Sequence, residues 1–186
     1  MQVLFLSGSR NPKGRTARTI DTLGIGVTRT GGNAEYRFLP ELSLERCRQC
    51  ESDGWGICRR EGRCIIEDDF PSLVESIRSA DVIVFATPVY FHDLSESMRG
   101  FLDRLRRICS GNTDAQIRGK PAVGLCLAGG GGGGATSACV NLERILQQCG
   151  FDVVDMIPLR RQNLEAKLPI LESTGEWLAT KPTSKG

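Results

Sequence analysis

The sequence predicts an α/β protein in which one parallel β-sheet carries helices on both faces. Short apolar runs alternate with amphipathic helical patterns along the 186 residues, which is typical of a doubly wound sheet. The run at 80–91 is apolar at every position from Val82 to Ala86, as expected of a central strand covered on both sides. Right-handed crossovers leave few arrangements of such a chain, and we favour the strand order 2-1-3-4-5.

Five strands and five helices follow from these patterns. We predict strands at 2–6, 34–39, 80–91 (ending at Thr87-Pro88), 122–127 and 151–157. The first helix ends at Gly31-Gly32, the second begins at Asp68-Asp69, and two more carry apolar stripes at 94–108 and 138–149. A last helix at 163–180 is interrupted in sequence by Pro169 and Gly175. We expect a single domain over 1–186 with a cysteine-rich insertion at about 44–67.

Composition excludes several classes of function. The net charge is only +2 and the arginines are scattered, so we expect no nucleic-acid partner. The chain lacks a leader pattern and a long apolar run, so we expect a cytoplasmic protein without membrane contact. Four of the eight cysteines lie inside apolar patterns and are predicted core residues: Cys109, Cys126, Cys139 and Cys149.

Three loops of unusual composition follow predicted strands and should share the carboxyl edge of the sheet. The loop at 7–16 combines hydroxyl, basic and glycine residues with a helix N-terminus, which suits a phosphate group. The loop at 87–95 holds Pro88, Tyr90 and Phe91, on which a flat aromatic ligand can lie. Its His92 is the only histidine, and we interpret it as a surface residue. The hexaglycine at 129–134 lets backbone N–H groups approach a ligand closely.

Together, the segments GSRNPKGRT, ATPVYFHDLSESMRGFLDRL and AGGGGGG resemble the NADPH-dependent FMN reductase and iron–sulfur flavoprotein group of the flavodoxin-like fold. The resemblance covers nearly the whole chain and implies FMN as cofactor and NAD(P)H as hydride donor. It implies a ping-pong oxidoreductase that reduces a second small-molecule acceptor, such as a quinone or a flavin, and a homodimer or higher homo-oligomer. No side chain is expected to be catalytic, because the flavin carries the chemistry.

The resemblance also assigns the predicted cofactor contacts. The phosphate contacts differ from the family pattern, since Pro falls at position 12 and Arg15 replaces the more frequent Asn. The expected phosphate contacts are Ser9, Arg10, Gly14, Arg15 and Thr16; the ring contacts are Thr87, Pro88, Val89, Tyr90 and Phe91; the pyrimidine-edge contacts are Gly129, Gly130, Gly131 and Gly132.

The remaining cysteines, Cys47, Cys50, Cys58 and Cys64, crowd one polar segment with the spacing C-x2-C-x7-C-x5-C. This set can ligate a [4Fe–4S] cluster, bind zinc, or remain as reduced thiols. The iron–sulfur flavoproteins of the group carry a similar cluster loop with a shorter middle spacing. A cluster here would imply the alternative function, single-electron transfer between cluster and FMN with a ferredoxin-like donor. The arginines expected to offset its charge are Arg46, Arg48, Arg59, Arg60 and Arg63.

Overall fold

The structure is a computed structural model that describes residues 1–110 and 116–182. Its sheet has the order β2-β1-β3-β5-β6, with every neighbouring pair parallel, and β4 pairs antiparallel with β3. The predicted order of the five parallel strands is therefore confirmed. The strands are β1 (Gln2–Ser7), β2 (Asn33–Phe38), β3 (Val82–Tyr90), β4 (Asp93–Leu94), β5 (Pro121–Ala128) and β6 (Asp152–Arg160).

Helices cover both faces of the sheet, and each face has its own apolar core. One core joins the sheet to α1 and α6, and the other joins it to α3, α4 and α5. The short helix α2 lies within the cysteine-rich insertion and was not predicted. The helices are α1 (Arg15–Arg29), α2 (Ile57–Glu61), α3 (Phe70–Ser79), α4 (Glu96–Cys109), α5 (Ala135–Gln148) and α6 (Leu164–Leu178). None of them, in the described part of the chain, is long and apolar enough to cross a membrane.

Strand β3 runs further than predicted, and this lengthening creates the extra strand. The sequence places its end at Thr87-Pro88, but pairing with β5 continues through Val89, opposite Ala128. On its other edge β1 stops at Ser7, opposite Ala86. Beyond Ala86 this edge of β3 is no longer paired with β1, and β4 pairs there instead, with Leu94 opposite Val89.

Helix α6 is continuous through Pro169, so the interruptions in its sequence do not break it. Gly175 is explained by packing, because a Cβ there would lie 1.9 Å from the carbonyl oxygen of Leu23 on α1. The reciprocal position is Gly26, whose Cβ would lie 2.0 Å from the oxygen of Glu172. Glycine at both positions thus lets the backbones of α1 and α6 approach closely.

Candidate functional site

The three predicted loops meet in one cavity of about 560 Å³ at the carboxyl edge of the sheet. This is the edge at which ligands bind in doubly wound folds, and the volume is that of a small-molecule site. The residues that line it are Ser9, Asn11, Lys13, Gly14, Arg15, Thr16, Pro88, Val89, Tyr90, Leu127, Gly129 and Gly130.

The first wall of the cavity is the loop before α1. Gly14 is the N-cap of this helix and supplies no side-chain cap, and the first turn contains no acidic residue. Its first N–H groups therefore have no capping side chain, and the helix dipole favours an anion beside them. Lys13 and Arg15 add positive charge at the exposed rim. This wall can hold a phosphate group.

Hydrogen bonds fix the course of this loop. The backbone N–H of Gly8 donates to the oxygen of Ala86 (2.8 Å), and Ser97 Oγ donates to the oxygen of Gly8 (3.0 Å). The side chain of Asn11 then accepts from the N–H of Lys13 (2.9 Å), which forms an Asx turn. The loop is thereby tied both to β3 and to the start of α4.

The second wall is the end of β3, which presents Pro88, Val89 and Tyr90. The hairpin that follows turns through Phe91 and His92, whose φ angles of 48° and 67° are left-handed. Such angles are uncommon outside glycine and occur often at functional sites. Asp93 holds the hairpin in place, because Arg99 donates to both of its carboxylate oxygens (2.7 and 2.8 Å).

The third wall is the glycine loop, which packs against the hairpin. Gly134 has a φ of 82°, and a Cβ there would lie 2.6 Å from the Cα of His92. His92 is exposed, as expected, and its ring lies beside Gly133. Gly129 and Gly130 face the cavity with no neighbour within 4 Å of their Cβ positions. A ligand can therefore come close to the backbone there.

Five predicted contacts lie outside the cavity lining. Arg10 faces a second cavity of about 480 Å³ and lies 3.8 Å from Glu96. Thr87 is buried, and its Oγ1 accepts from the N–H of Ser95 (3.0 Å). The other three are Phe91, whose side chain is fully exposed, Gly131 and Gly132. Three residues that line the cavity were not predicted as contacts: Asn11, Lys13 and Leu127. Asn11 and Lys13 lie within the predicted phosphate loop, so their position could have indicated them. Leu127 lies at the end of β5.

A separate small cavity of about 20 Å³ is lined by all four cysteines of the insertion, Cys47, Cys50, Cys58 and Cys64. Within residues 1–110 and 116–182, no three His, Cys, Asp or Glu side chains are arranged to hold a metal ion. Four cysteine thiols are the usual donor set of a [4Fe–4S] cluster, and all four line this cavity, so the residue types present fit such a cluster. The cavity has room for about one water molecule, so loading requires the segment to move outward.

A sequence profile of the NADPH-dependent FMN reductase family matches residues 1–162. The chain belongs to this family. Among its curated relatives, an iron–sulfur flavoprotein of Methanocaldococcus jannaschii is 30% identical over 131 residues, which cover 70% of this chain and 65% of the relative. An iron–sulfur flavoprotein of Archaeoglobus fulgidus is 30% identical over 112 residues, covering 60% and 52%. The chain thus spans about half to two thirds of the length of these relatives.

Solved structures confirm the flavodoxin-like fold of this FMN reductase family member. An NAD(P)H:quinone oxidoreductase from Methanothermobacter marburgensis superposes with a TM-score of 0.70 at 21% identity, covering 96% of both chains. A flavodoxin from the domain Archaea superposes with a TM-score of 0.63 at 14% identity, covering 97% of this chain and 98% of that one. At these identities the likeness concerns the fold.

The arginines expected to offset charge in this family member's cysteine segment are largely paired with glutamates. Arg48 pairs with Glu45, Arg60 with Glu51 and Arg63 with Glu61. Because a glutamate already balances each of these three charges, they are less suited to offset the charge of a cluster. Arg48 nevertheless lines the cavity. Two arginines of α4 line it as well, Arg104 and Arg107. The apolar stripe at 94–108 marks neither arginine as part of a site.

Arg104 is the largest of the fully buried side chains, with 2% of its surface exposed. Its guanidinium donates to both oxygens of Asp68 (2.5 and 2.9 Å), to the oxygen of Glu45 (3.0 Å) and to Cys64 Sγ (3.4 Å). It also lies over the ring of Phe70, 4.1 Å from the centroid. Burial acts to lower the pKa of Arg104, but Asp68 and Cys64 together raise it above its ordinary value. The charge is therefore retained in the core.

The other four cysteines are buried in the core, as predicted. A hydrogen bond with Cys139 and burial raise the pKa of Cys126, and a hydrogen bond with Cys109 and burial raise that of Cys149. Protonated thiols are poor nucleophiles and poor metal ligands. Cys126 and Cys149 therefore act as small apolar side chains.

Proposed function

We propose that the protein is an FMN-dependent oxidoreductase that accepts hydride from NAD(P)H and reduces a second small-molecule acceptor by a ping-pong mechanism. The observation that carries this proposal is the convergence of the three loops on one cavity of about 560 Å³. Membership of the family supports FMN as the cofactor. The quinone oxidoreductase among the structural neighbours supports a quinone as a reasonable acceptor to assay.

Each wall of the cavity has a distinct task in this proposal. The N-terminus of α1 with Lys13 and Arg15 binds the phosphate of FMN. Pro88, Val89 and Tyr90 support the ring, and backbone N–H groups of Gly129 and Gly130, which line the same cavity, donate to its polar edge. When bound, FMN accepts the hydride and passes the electrons on. The protein positions the ring and leaves room for two substrates in turn.

Flavin titration and steady-state kinetics test this function. The purified protein should quench the fluorescence of added FMN and bind riboflavin more weakly, because riboflavin lacks the phosphate. It should then oxidise NADPH or NADH in the presence of a quinone such as menadione. Initial rates at several fixed quinone concentrations should give parallel double-reciprocal lines. Failure to bind FMN, or converging lines, would contradict the cofactor or the kinetic mechanism respectively.

A second candidate function is that of an iron–sulfur flavoprotein, in which a [4Fe–4S] cluster exchanges single electrons with FMN and a ferredoxin-like donor. One specific observation favours it: all four cysteines of the insertion line the same cavity. Two relatives of this chain, from two archaea, are named iron–sulfur flavoproteins. Zinc bound by the same four thiols is the competing metal. Anaerobic iron and sulfide analysis should give four of each per chain.

We also propose a homodimer in the cytoplasm. Phe91 is fully exposed and Tyr90 is 55% exposed at the rim of the cavity, which provides apolar surface for a second subunit beside the cofactor. Light scattering coupled to size exclusion should give twice the mass of the chain. The variant Phe91→Ser should shift the protein toward monomer, and a monomeric wild-type protein would overturn this part of the proposal.

A further inference from the structure

Arg104 has one donor without an acceptor. Of the five N–H donors of its guanidinium, two on Nη1 reach Asp68 and the oxygen of Glu45, and two on Nη2 reach Asp68 and Cys64 Sγ. The fifth, on Nε, has no hydrogen-bond partner among the described residues. The side chain is 98% buried, since only 2% is exposed. A buried charged donor of this kind is costly to leave unpaired.

The planar geometry of the guanidinium places this donor. The N–H of Nε and one N–H of Nη2 point in parallel from the same edge of the group. Asp68 occupies the end of the group, between Nη1 and Nη2. The other N–H of Nη2 donates to Cys64 Sγ. Both Cys64 and Arg104 line the cysteine cavity. The unpaired Nε–H therefore lies on the edge that faces Cys64.

We propose that Arg104 is the positioning residue of the cysteine cavity, donating from its Nε/Nη2 edge to the anionic sulfur of a bound [4Fe–4S] cluster and raising the cluster's reduction potential. The proposal rests on the second candidate function. Hydrogen bonds to cluster sulfurs stabilise the more negative, reduced state. The effect is strongest for a buried donor, because the low-dielectric interior does not screen it.

Other arginines near the cavity are less suited to this role. Arg48 donates hydrogen bonds to Glu45, and its side chain is 58% exposed, so solvent screens its charge. Arg107 donates to the backbone oxygen of Gly54 and lies over Trp55. By contrast, Asp68 and Phe70 hold the Arg104 guanidinium from its end and from one face. Its free edge is thus fixed in direction before any ligand binds.

The experiment compares wild type with Arg104→Lys, prepared anaerobically as full-length protein. Lysine keeps a positive charge beside Asp68 but has no planar two-donor edge. Iron, sulfide and FMN content report loading and folding, and a dithionite titration followed by EPR gives the midpoint potential of the cluster. We expect full loading and a midpoint potential shifted to more negative values. The matched control Arg106→Lys changes a neighbouring arginine of α4 and should leave the potential at the wild-type value.

A second measurement uses ¹⁵N-arginine labelling. Labelled wild-type protein reduced with dithionite should show hyperfine coupling between the reduced cluster and an arginine nitrogen. Labelled Arg104→Lys should lack this coupling, although it keeps Arg48 and Arg107, which also line the cavity. A loaded Arg104→Lys protein with an unchanged potential, or a loaded wild type without this coupling, overturns the proposal and leaves the cluster function intact. Wild-type protein that takes up no iron and sulfide overturns both.

Discussion

The guanidinium of Arg107 lies over the indole ring of Trp55, 4.8 Å from its centroid. Its Nη1 also donates to the oxygen of Gly54 (2.6 Å), and Arg59 approaches the same ring at 5.3 Å. These contacts fasten the residues at 51–55, the stretch that lengthens the cysteine spacing, to helix α4. Residues 51–55 are therefore an anchored cover beside the cysteine cavity, which Gly54 lines.

Arg107→Ala should release this cover. A hydrogen bond from a charged donor and a cation–π contact together contribute about 2 kcal/mol, so amide hydrogen exchange in a peptide covering 51–58 should accelerate roughly 30-fold. Mass spectrometry of the exchanged protein measures this. Arg106→Ala, on the same helix, serves as control and should leave exchange in this peptide unchanged. Equal exchange in both variants would show that the contacts do not hold the segment.

Arg15 and Arg10 should differ in their importance for FMN. Arg15 lines the cavity at the start of α1, whereas Arg10 faces the other cavity and Glu96. Loss of a charge-assisted contact costs about 1.5 kcal/mol or more. Arg15→Ala should therefore raise the Kd for FMN about tenfold, and Arg10→Ala should leave it within about twofold. Binding of riboflavin should be nearly equal in both variants. The reverse order in the FMN titration would place the phosphate elsewhere.

Gly134→Ala should disturb the flavin cavity through the hairpin. The φ of 82° and the approach of His92 Cα within 2.6 Å both oppose a side chain there, at a cost of about 2 kcal/mol. The melting temperature should fall, and FMN affinity should fall with it because β3 and its hairpin form one wall. Gly131→Ala is the matched control, since nothing lies within 4 Å of its Cβ position. Equal stability of the two variants would contradict the packing described.

The free energy of unfolding should fall in acid because Asp68 becomes protonated there. Burial acts to raise the pKa of Asp68, but Arg104 and the N–H groups of Glu45 and Phe70 together hold it below its ordinary value. Its contribution to the free energy of unfolding is then complete above about pH 4 and is lost as the pH falls through the folded-state pKa. Urea unfolding at a series of acidic pH values measures this slope.

Asp68→Asn should give a shallower dependence on pH in the same experiment. The variant should also lose about 3 kcal/mol at neutral pH, because it leaves the charge of Arg104 buried without its partner. Some slope should remain from two other carboxyl groups. The bond from the N–H of Gln2 lowers the pKa of Asp81. Burial acts to raise the pKa of Asp93, but the ion pair with Arg99 helps to hold it below its ordinary value. An unchanged slope would show that Asp68 is not the main acid-sensitive group.

Much of the fold could be predicted because local patterns and global topology agree. The apolar run at 82–86 predicts a central strand, and the structure places it between β1 and β5. The glycine and hydroxyl residues at 7–16 and the hexaglycine predict backbone-lined loops at one edge, where the cavity lies. These signals are local, since turn chemistry and strand apolarity depend on the residues themselves.

The features that the sequence did not predict depend on distant partners. The continuation of β3 to Tyr90 requires β5 to extend beside it, and β4 forms because β1 stops at Ser7. Burial of Arg104 depends on Asp68, which lies 36 residues away in sequence. Likewise, Arg10 turns from the phosphate cavity toward Glu96. No periodicity within a helix or a loop carries such information.

Helix α4 touches both candidate sites. Ser97, in its first turn, donates to Gly8 in the phosphate loop, and Arg104 reaches Cys64 two turns later, about 10 Å along the axis. The number of helical residues between Ser97 and Arg104 therefore sets the distance between the phosphate loop and the cysteine cavity. An insertion or deletion between Ser97 and Arg104 would change that spacing and rotate one contact off its target.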